Sequence, residues 1–430
     1  MRKAYRASLL HCLSDPGEHA DPAAVEFHDD GLLLVEDGLI ADYGDAAALL
    51  TQCGDTPITE LPGKIIVPGF IDCHVHFPQL DIIASYGEQL LDWLNRYAFP
   101  AEQRFADLEY AREVAEFFLD ELLRNGTTTA LVFGTVHAHS ADVILEAARI
   151  RGMRLIAGKV LMDRNCPPDL RDDPESAYTD SKTLIERWHG NDRLGYAITP
   201  RFAVTSSDEQ LQAAGRLAQE YPDVWVHTHL AENSTEMALI KKQFPSRRSY
   251  LDVYDHAGLL RERSVFAHCL YLDEKDRQCM ASKGGAAAFC PTSNLFLGSG
   301  LFDLRAMRAA GIRCGLGTDV GGGTSLNLLR TASEAYKVLH LQDQSLPASR
   351  ALYLATLGAA ESLYLDDKVG NFARGKDADF VVLDPAGSAL SARRSGVSAN
   401  IDEMLFAITM LADDRNIAAT YVAGNKADIR

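Results

Sequence analysis

From about residue 127 onward the chain alternates short apolar, β-branched runs with longer segments whose apolar residues recur at helical spacing. That alternation is the pattern of βα units around a parallel sheet. Residues 127–136 read as a strand. The segment before it, 107–124, carries Leu108, Ala111, Ala115, Phe118, Leu119 and Leu122 on one helical face, and Gly126 follows as a stop. Helices are predicted near 141–151, 181–189 and 208–220. Strands are predicted near 154–161, 195–199, 224–229, 264–269, 286–290 and 312–317, with helices between them. Counting the buried-strand pattern before His74, about eight strands result, the number that closes a (β/α)8 barrel.

The two ends read differently. The run Leu32-Leu33-Leu34-Val35, then Glu36-Asp37-Gly38 and the pair Leu39-Ile40, is a hairpin signal of Asp-Gly type. Residues 378–384 and 419–424 also read as strands. The expected architecture is α/β: a distorted TIM-like barrel over 68–369, flanked by a small β-sandwich in which residues 1–67 and 370–430 meet. No internal repeat or low-complexity tract interrupts it.

Composition narrows the function classes. At 430 residues and 47% hydrophobic, the chain is long enough for a large domain and a smaller one. A net charge of -18 argues against a non-specific nucleic-acid binder, which needs clustered Lys and Arg, and favours a small-molecule partner. The eight cysteines are scattered without a Cys-x-x-Cys pair and read as reduced, mostly buried small residues. The basic start Met1-Arg2-Lys3-Ala4-Tyr5-Arg6 meets polar residues before a signal core forms, and no apolar run approaches the ~18 residues of a membrane span. A soluble cytoplasmic protein, bound to neither membrane nor nucleic acid, is the expectation.

The richest segment is Val67-Pro68-Gly69-Phe70-Ile71-Asp72-Cys73-His74-Val75-His76-Phe77-Pro78-Gln79. Side chains at i and i+2 of a strand point the same way, so His74 and His76 offer two imidazoles to one divalent metal. In a parallel barrel, catalytic groups sit at the C-terminal ends of strands. That filter retains His229 and Glu232 after the strand at 224–229, His268 near the end of its strand, and Asp319 just past the strand at 312–317. Each has an ordinary reading as well: a packed core histidine, an acid at a helix start, a turn or capping aspartate. Their joint placement on strand ends favours a metal-hydrolase site. Val136-His137-Ala138-His139 is a second His-x-His pair, and His227 shares a strand face with His229; spacing alone leaves both open as ligands.

Four motifs carry a resemblance to the amidohydrolase superfamily: residues 68–79, Val226-His227-Thr228-His229-Leu230-Ala231-Glu232, Phe266-Ala267-His268-Cys269, and Gly315-Leu316-Gly317-Thr318-Asp319-Val320-Gly321-Gly322-Gly323. The resemblance spans nearly the whole chain, to about Asp384. Phe77-Pro78-Gln79, Thr199-Pro200-Arg201-Phe202 and the segment 290–300 point within it to the zinc-dependent branch that deaminates guanine. The resemblance implies that His74, His76, His229 and Asp319 bind one zinc, with His137, His139 and His227 outside that set. Three imidazoles and a carboxylate also suit other divalent ions, iron among them.

The resemblance further implies hydrolytic deamination of guanine to xanthine and ammonia by a zinc-activated hydroxide. Asp319 would take the water's proton, Glu232 would protonate ring N3 as C2 is attacked, and His268 would orient the attacking oxygen. Gln79 and Arg201 carry donors suited to the purine edge, and Phe202 and Trp93 could cover the ring face. Trp93, in Leu90-Leu91-Asp92-Trp93-Leu94, reads equally as helix packing, and Arg201 as the anchor of a loop carboxylate. A homodimer is also implied. The nearest rival is a deaminase of another purine, a pterin or a triazine in the same superfamily; from another class, a metal-free scaffold or binding protein, against which the intact ligand set speaks.

Overall fold

Seven consecutive buried residues in a strand need cover on both faces, and three strands of the computed structural model have that character: Phe70–His76, Thr127–Phe133 and Leu194–Pro200. The structure describes residues 1–429. In chain order its strands are β1 (Arg2–Cys12), β2 (Val25–Glu36), β3 (Leu39–Asp45), β4 (Ile58–Pro68), β5 (Phe70–His76), β6 (Thr127–Phe133), β7 (Arg154–Gly158), β8 (Val160–Leu161), β9 (Leu194–Pro200), β10 (Trp225–Leu230), β11 (Ser264–His268), β12 (Ala286–Phe289), β13 (Arg313–Leu316), β14 (Phe380–Leu383), β15 (Ile417–Val422) and β16 (Asn425–Lys426). Eight of them run in the order β13-β12-β11-β10-β9-β7-β6-β5, with β8 beside β9. Pairing from β7 through β13 is parallel. Where the order ends, the Asp319 N–H donates to the His74 carbonyl at 2.9 Å and the His76 N–H to the Val320 carbonyl at 2.8 Å, drawing β5 toward the segment after β13. The expected barrel is thus present.

Helices follow the strands as the apolar spacing requires. Helix Leu108–Arg124 buries Ala111, Ala115, Phe118, Leu119 and Leu122, and Asp208–Glu220 buries Leu211, Ala214 and Leu217 behind an N-cap at Ser207. The largest shift of a helix start is at the helix expected from 181, which runs Pro174–Trp188. Asp173 caps it reciprocally with Ser176, and Pro174 occupies the first turn, where its missing N–H costs nothing. The single strand expected over 154–161 is broken at Lys159, whose buried ammonium pairs with Asp172.

The chain separates into two compact units, Met1–Asp72 with Asp120–Thr129 and Asn327–Arg430, and Cys73–Leu119 with Ala130–Leu326. The first contains a seven-stranded sheet, order β16-β15-β14-β4-β1-β2-β3, that joins both ends of the chain. Alternation sends Tyr5, Ala7, Leu9, Leu33, Val35, Phe380 and Tyr421 to one apolar cluster, and Ala4, Leu32 and Leu34 to another that helical Leu49 joins. The expected hairpin closes at Glu36 opposite Leu39, with φ of 51° at Asp37 and 85° at Gly38, the positive values that a two-residue turn demands. Strand β1 was not anticipated. All eight cysteines are free, and six are buried. Among the described residues no helix is long and apolar enough to cross a membrane.

Candidate active site

The second unit holds every candidate residue. Strand alternation aims His74 and His76 the same way at the end of β5, and does the same for His227 and His229 on β10. His268 closes β11, and Asp319 lies three residues past β13. Ala231, His268, Cys269 and Asp319 have φ between 51° and 72°. A left-handed residue turns the chain sharply off its strand, and non-glycine residues hold that conformation only where surroundings enforce it, often at functional rims.

Four donors converge. His76 Nε2 lies 3.2 Å from His74 Nε2 and 3.1 Å from His229 Nε2, while Asp319 Oδ1 lies 3.1 Å from His74 Nε2 and 3.4 Å from His76 Nε2. Ligands of a four-coordinate ion with bonds of about 2.0–2.1 Å sit roughly 3.3 Å apart, so this spacing fits a divalent metal. The protonation states fit too. Burial pushes His76 down to about 3 and His229 well below its ordinary value, leaving neutral nitrogen donors. Burial opposes ionisation of Asp319, but His74 and His76 outweigh it and hold the carboxyl well below the usual range.

The rings are fixed from behind. His229 Nδ1 donates to the Arg201 carbonyl at 2.6 Å, and His74 Nδ1 lies 2.7 Å from His227 Nε2, which leaves each Nε2 to face the cluster. His268 Nδ1 donates to Asn294 Oδ1 at 2.8 Å, leaving its Nε2 3.4 Å from Glu232 Oε2 and 3.7 Å from Asp319 Oδ2. Glu232 accepts from Ser299 Oγ at 2.9 Å. Its backbone is pinned by Glu236, whose Oε2 accepts from the N–H of Glu232 at 2.8 Å and of Asn233 at 3.1 Å. Burial first, and then the Asp319 carboxylate, push Glu232 up to about 8, so at neutral pH it carries a proton it can give.

These groups line one small cavity, with about 380 Å³ of space between its walls and across its open mouth. Its wall includes His76, Gln79, Trp93, Arg201, Phe202, His229, Glu232, His268 and Asp319, and apolar cover comes from Leu90, Leu94 and Leu297. His74 sits deeper and does not line it. A cluster of metal donors, a protonatable carboxyl and a small half-apolar cavity suit hydrolysis of a compact polar ring.

The amidohydrolase family model matches residues 65–427. The chain belongs to the amidohydrolase family. This amidohydrolase is 52% identical over 426 residues to the guanine deaminase of Escherichia coli (strain K12), covering 98% of this chain and 97% of that one. Its fold superposes on a solved structure of the E. coli guanine deaminase with a TM-score of 0.97 at 51% identity, over the whole of both chains. It also matches a guanine deaminase from C. acetobutylicum, solved with guanine bound in the active site, with a TM-score of 0.91 at 29% identity over both full chains.

Of the competing histidines of this amidohydrolase, His227 stands behind His74 and outside the four-donor cluster, and His137 and His139 are not part of that cluster either. His137 and His139 stack on each other at 5.6 Å, and His139 Nε2 is 2.6 Å from the Phe105 carbonyl. Three supporting residues were not anticipated from sequence: Asn294 and Ser299, both inside the segment 290–300, and Glu102, a buried carboxylate bonded to Gln79 and Arg201. The first two had a signal in the run of polar residues after β12. Glu102, in Phe99-Pro100-Ala101-Glu102, reads as an ordinary acid in a first helical turn.

Proposed function

We propose that this amidohydrolase deaminates guanine hydrolytically, giving xanthine and ammonia, with one zinc ion held by His74, His76, His229 and Asp319. The observation that carries the reading is the single small cavity in which metal donors, the Glu232 carboxyl, and the side chains of Gln79 and Arg201 all meet. The relatives named above are guanine deaminases, one of them with guanine in its active site. Three imidazoles and a carboxylate match the borderline softness of zinc, and iron is the alternative for the same donors.

When bound, the ion supplies Lewis acidity that lowers the pKa of water from about 16 toward about 7. The rest falls to the chain. The C2 amino group of guanine is a poor leaving group, so its nitrogen must depart protonated. Asp319 accepts the proton of the attacking water, and His268 orients that oxygen through its free Nε2. Glu232 delivers its proton to ring N3 as the oxygen adds to C2. Collapse of the tetrahedral adduct, with a proton returned to the exocyclic nitrogen, breaks the C2–N bond and releases ammonia. Arg201 and Gln79 donate to the acceptors of the purine edge, while Phe202 and Trp93 cover its face.

A substrate panel tests the reading: ammonia release from guanine, adenine, a pterin and a triazine by the zinc-loaded protein. Guanine is expected to give by far the highest kcat/KM; a preference for any of the others would replace it. The resemblance also supports a homodimer, which sedimentation of the purified protein checks.

A further inference from the structure

We propose that Glu102 is a positioning residue that makes the recognition wall of the cavity purely hydrogen-bond donating, so that the pocket accepts purines presenting a carbonyl there and rejects those presenting an amino group. The proposal rests on the reading that Gln79 and Arg201 meet the purine edge.

Glu102 lies in the short helix Phe99–Gln103 and is fully buried, yet it is absent from the cavity wall. A buried carboxylate persists only where its charge is met. Here Arg201 Nη1 donates to both carboxylate oxygens at 2.7 Å, and the Arg201 guanidinium carbon lies 5.3 Å from the centre of the Phe99 ring, so the fork is held on two sides. The same Oε1 accepts from Gln79 Nε2 at 2.9 Å, while Gln79 Oε1 accepts from the Gly321 N–H at 3.3 Å.

Those last two bonds decide which way the Gln79 amide points. An ionised carboxylate can only accept. Turning the amide over would press its oxygen against Glu102 and its NH2 against the Gly321 N–H, losing two hydrogen bonds and creating two repulsive contacts. With Oε1 occupied, the group Gln79 has left to offer is its second N–H. Arg201 has donors only. Guanine answers with its carbonyl oxygen and ring nitrogen; a purine with an amino group at C6 sets N–H against N–H. A site whose buried donors are left unpaired discriminates strongly, by up to about 10⁴–10⁵ at the extreme.

The test compares guanine with 2,6-diaminopurine, which carries an amino group in place of the C6 carbonyl and a bare N1 in place of N1–H, in the zinc-loaded wild type and in Glu102→Gln. The substitution keeps shape, removes the charge, and provides an amide N–H that can pair with a turned Gln79. In Glu102→Gln, KM for guanine is expected to rise ~10- to 100-fold, the loss of one or two buried hydrogen bonds, with kcat falling less than KM rises. The kcat/KM ratio of guanine over 2,6-diaminopurine should fall at least about tenfold. A merely structural role would lower active protein and hence kcat for both substrates alike, leaving KM and the ratio in place, and that result overturns the proposal. If Glu102→Gln does not fold, Glu102→Asp, which keeps the charge but shortens the reach, must show the same KM rise. Wild-type discrimination below about tenfold also overturns it, whatever the variants do. Failure of the wild type to consume guanine instead defeats the functional reading; the crystal structure of Glu102→Gln then decides, a turned Gln79 amide supporting the proposal and an unmoved one overturning it.

Discussion

His74 and His229 show how much of the proposed metal site lies behind its ligands. The Arg201 carbonyl takes the Nδ1 proton of His229 and so fixes its tautomer, while His227 faces Nδ1 of His74 at 2.7 Å, and both rings turn Nε2 forward. Loss of such a partner typically weakens metal affinity 10- to 100-fold. His227→Ala is therefore expected to lose its ion to a chelator at about one to two orders of magnitude lower competitor concentration; unchanged competition would remove His227 from that role. Glu232 carries a different expectation, since in the proposed reaction it gives a proton and binds no metal. Glu232→Gln should lower kcat by about 10²- to 10⁴-fold at unchanged metal content, and full turnover in the metal-loaded variant would contradict it. At this scale the histidine pair at 74 and 76 was legible from a period of two, and His229, Glu232, His268 and Asp319 from the barrel rule that favours strand ends. Glu102 was not, because its role depends on two partners 23 and 99 residues away, a pairing only the folded chain brings about.

Among the elements, helix Asp208–Glu220 has the ends predicted from sequence, and Ser207 caps it. It also contains Gly215, where propensity and packing give opposite answers. Alanine at an exposed helical position gains roughly 1 kcal/mol over glycine. Here a Cβ would stand 1.8 Å from the Ala257 carbonyl oxygen. Gly215→Ala is thus expected to destabilise by about 1–3 kcal/mol, read as a lowered melting temperature; a raised one would show that the neighbouring chain gives way freely. Elements whose pattern is less regular were harder to see. Strand β1 begins among basic residues and ends in the apolar run Leu9-Leu10, and its pairing with β2 slips between Ala7 and Leu9, so no simple alternation announces it.

For the whole molecule, the seven-stranded sheet sets β4 between β1 and β14, with Phe380 opposite Pro68. That register joins residues more than three hundred positions apart, and nothing in either segment's own pattern specifies it. The barrel was legible for the opposite reason: each βα unit declares itself locally, and repetition closes the rest. A metal that binds the folded chain and not the unfolded one stabilises it by mass action, about 4 kcal/mol at a thousandfold excess over Kd. Stripping the ion should lower the melting temperature by several degrees and readdition restore it, whereas equal melting curves would mean that the four donors hold no ion in solution.

The most direct measurement follows guanine loss by ultraviolet absorbance, together with ammonia release, while zinc is titrated into the stripped protein. The expected result is negligible turnover at the start, a linear rise, and a plateau at one zinc per chain, with one ammonia and one xanthine formed per guanine consumed. Guanine left intact by the fully loaded protein, or consumed at full rate by the stripped one, would contradict the central claim.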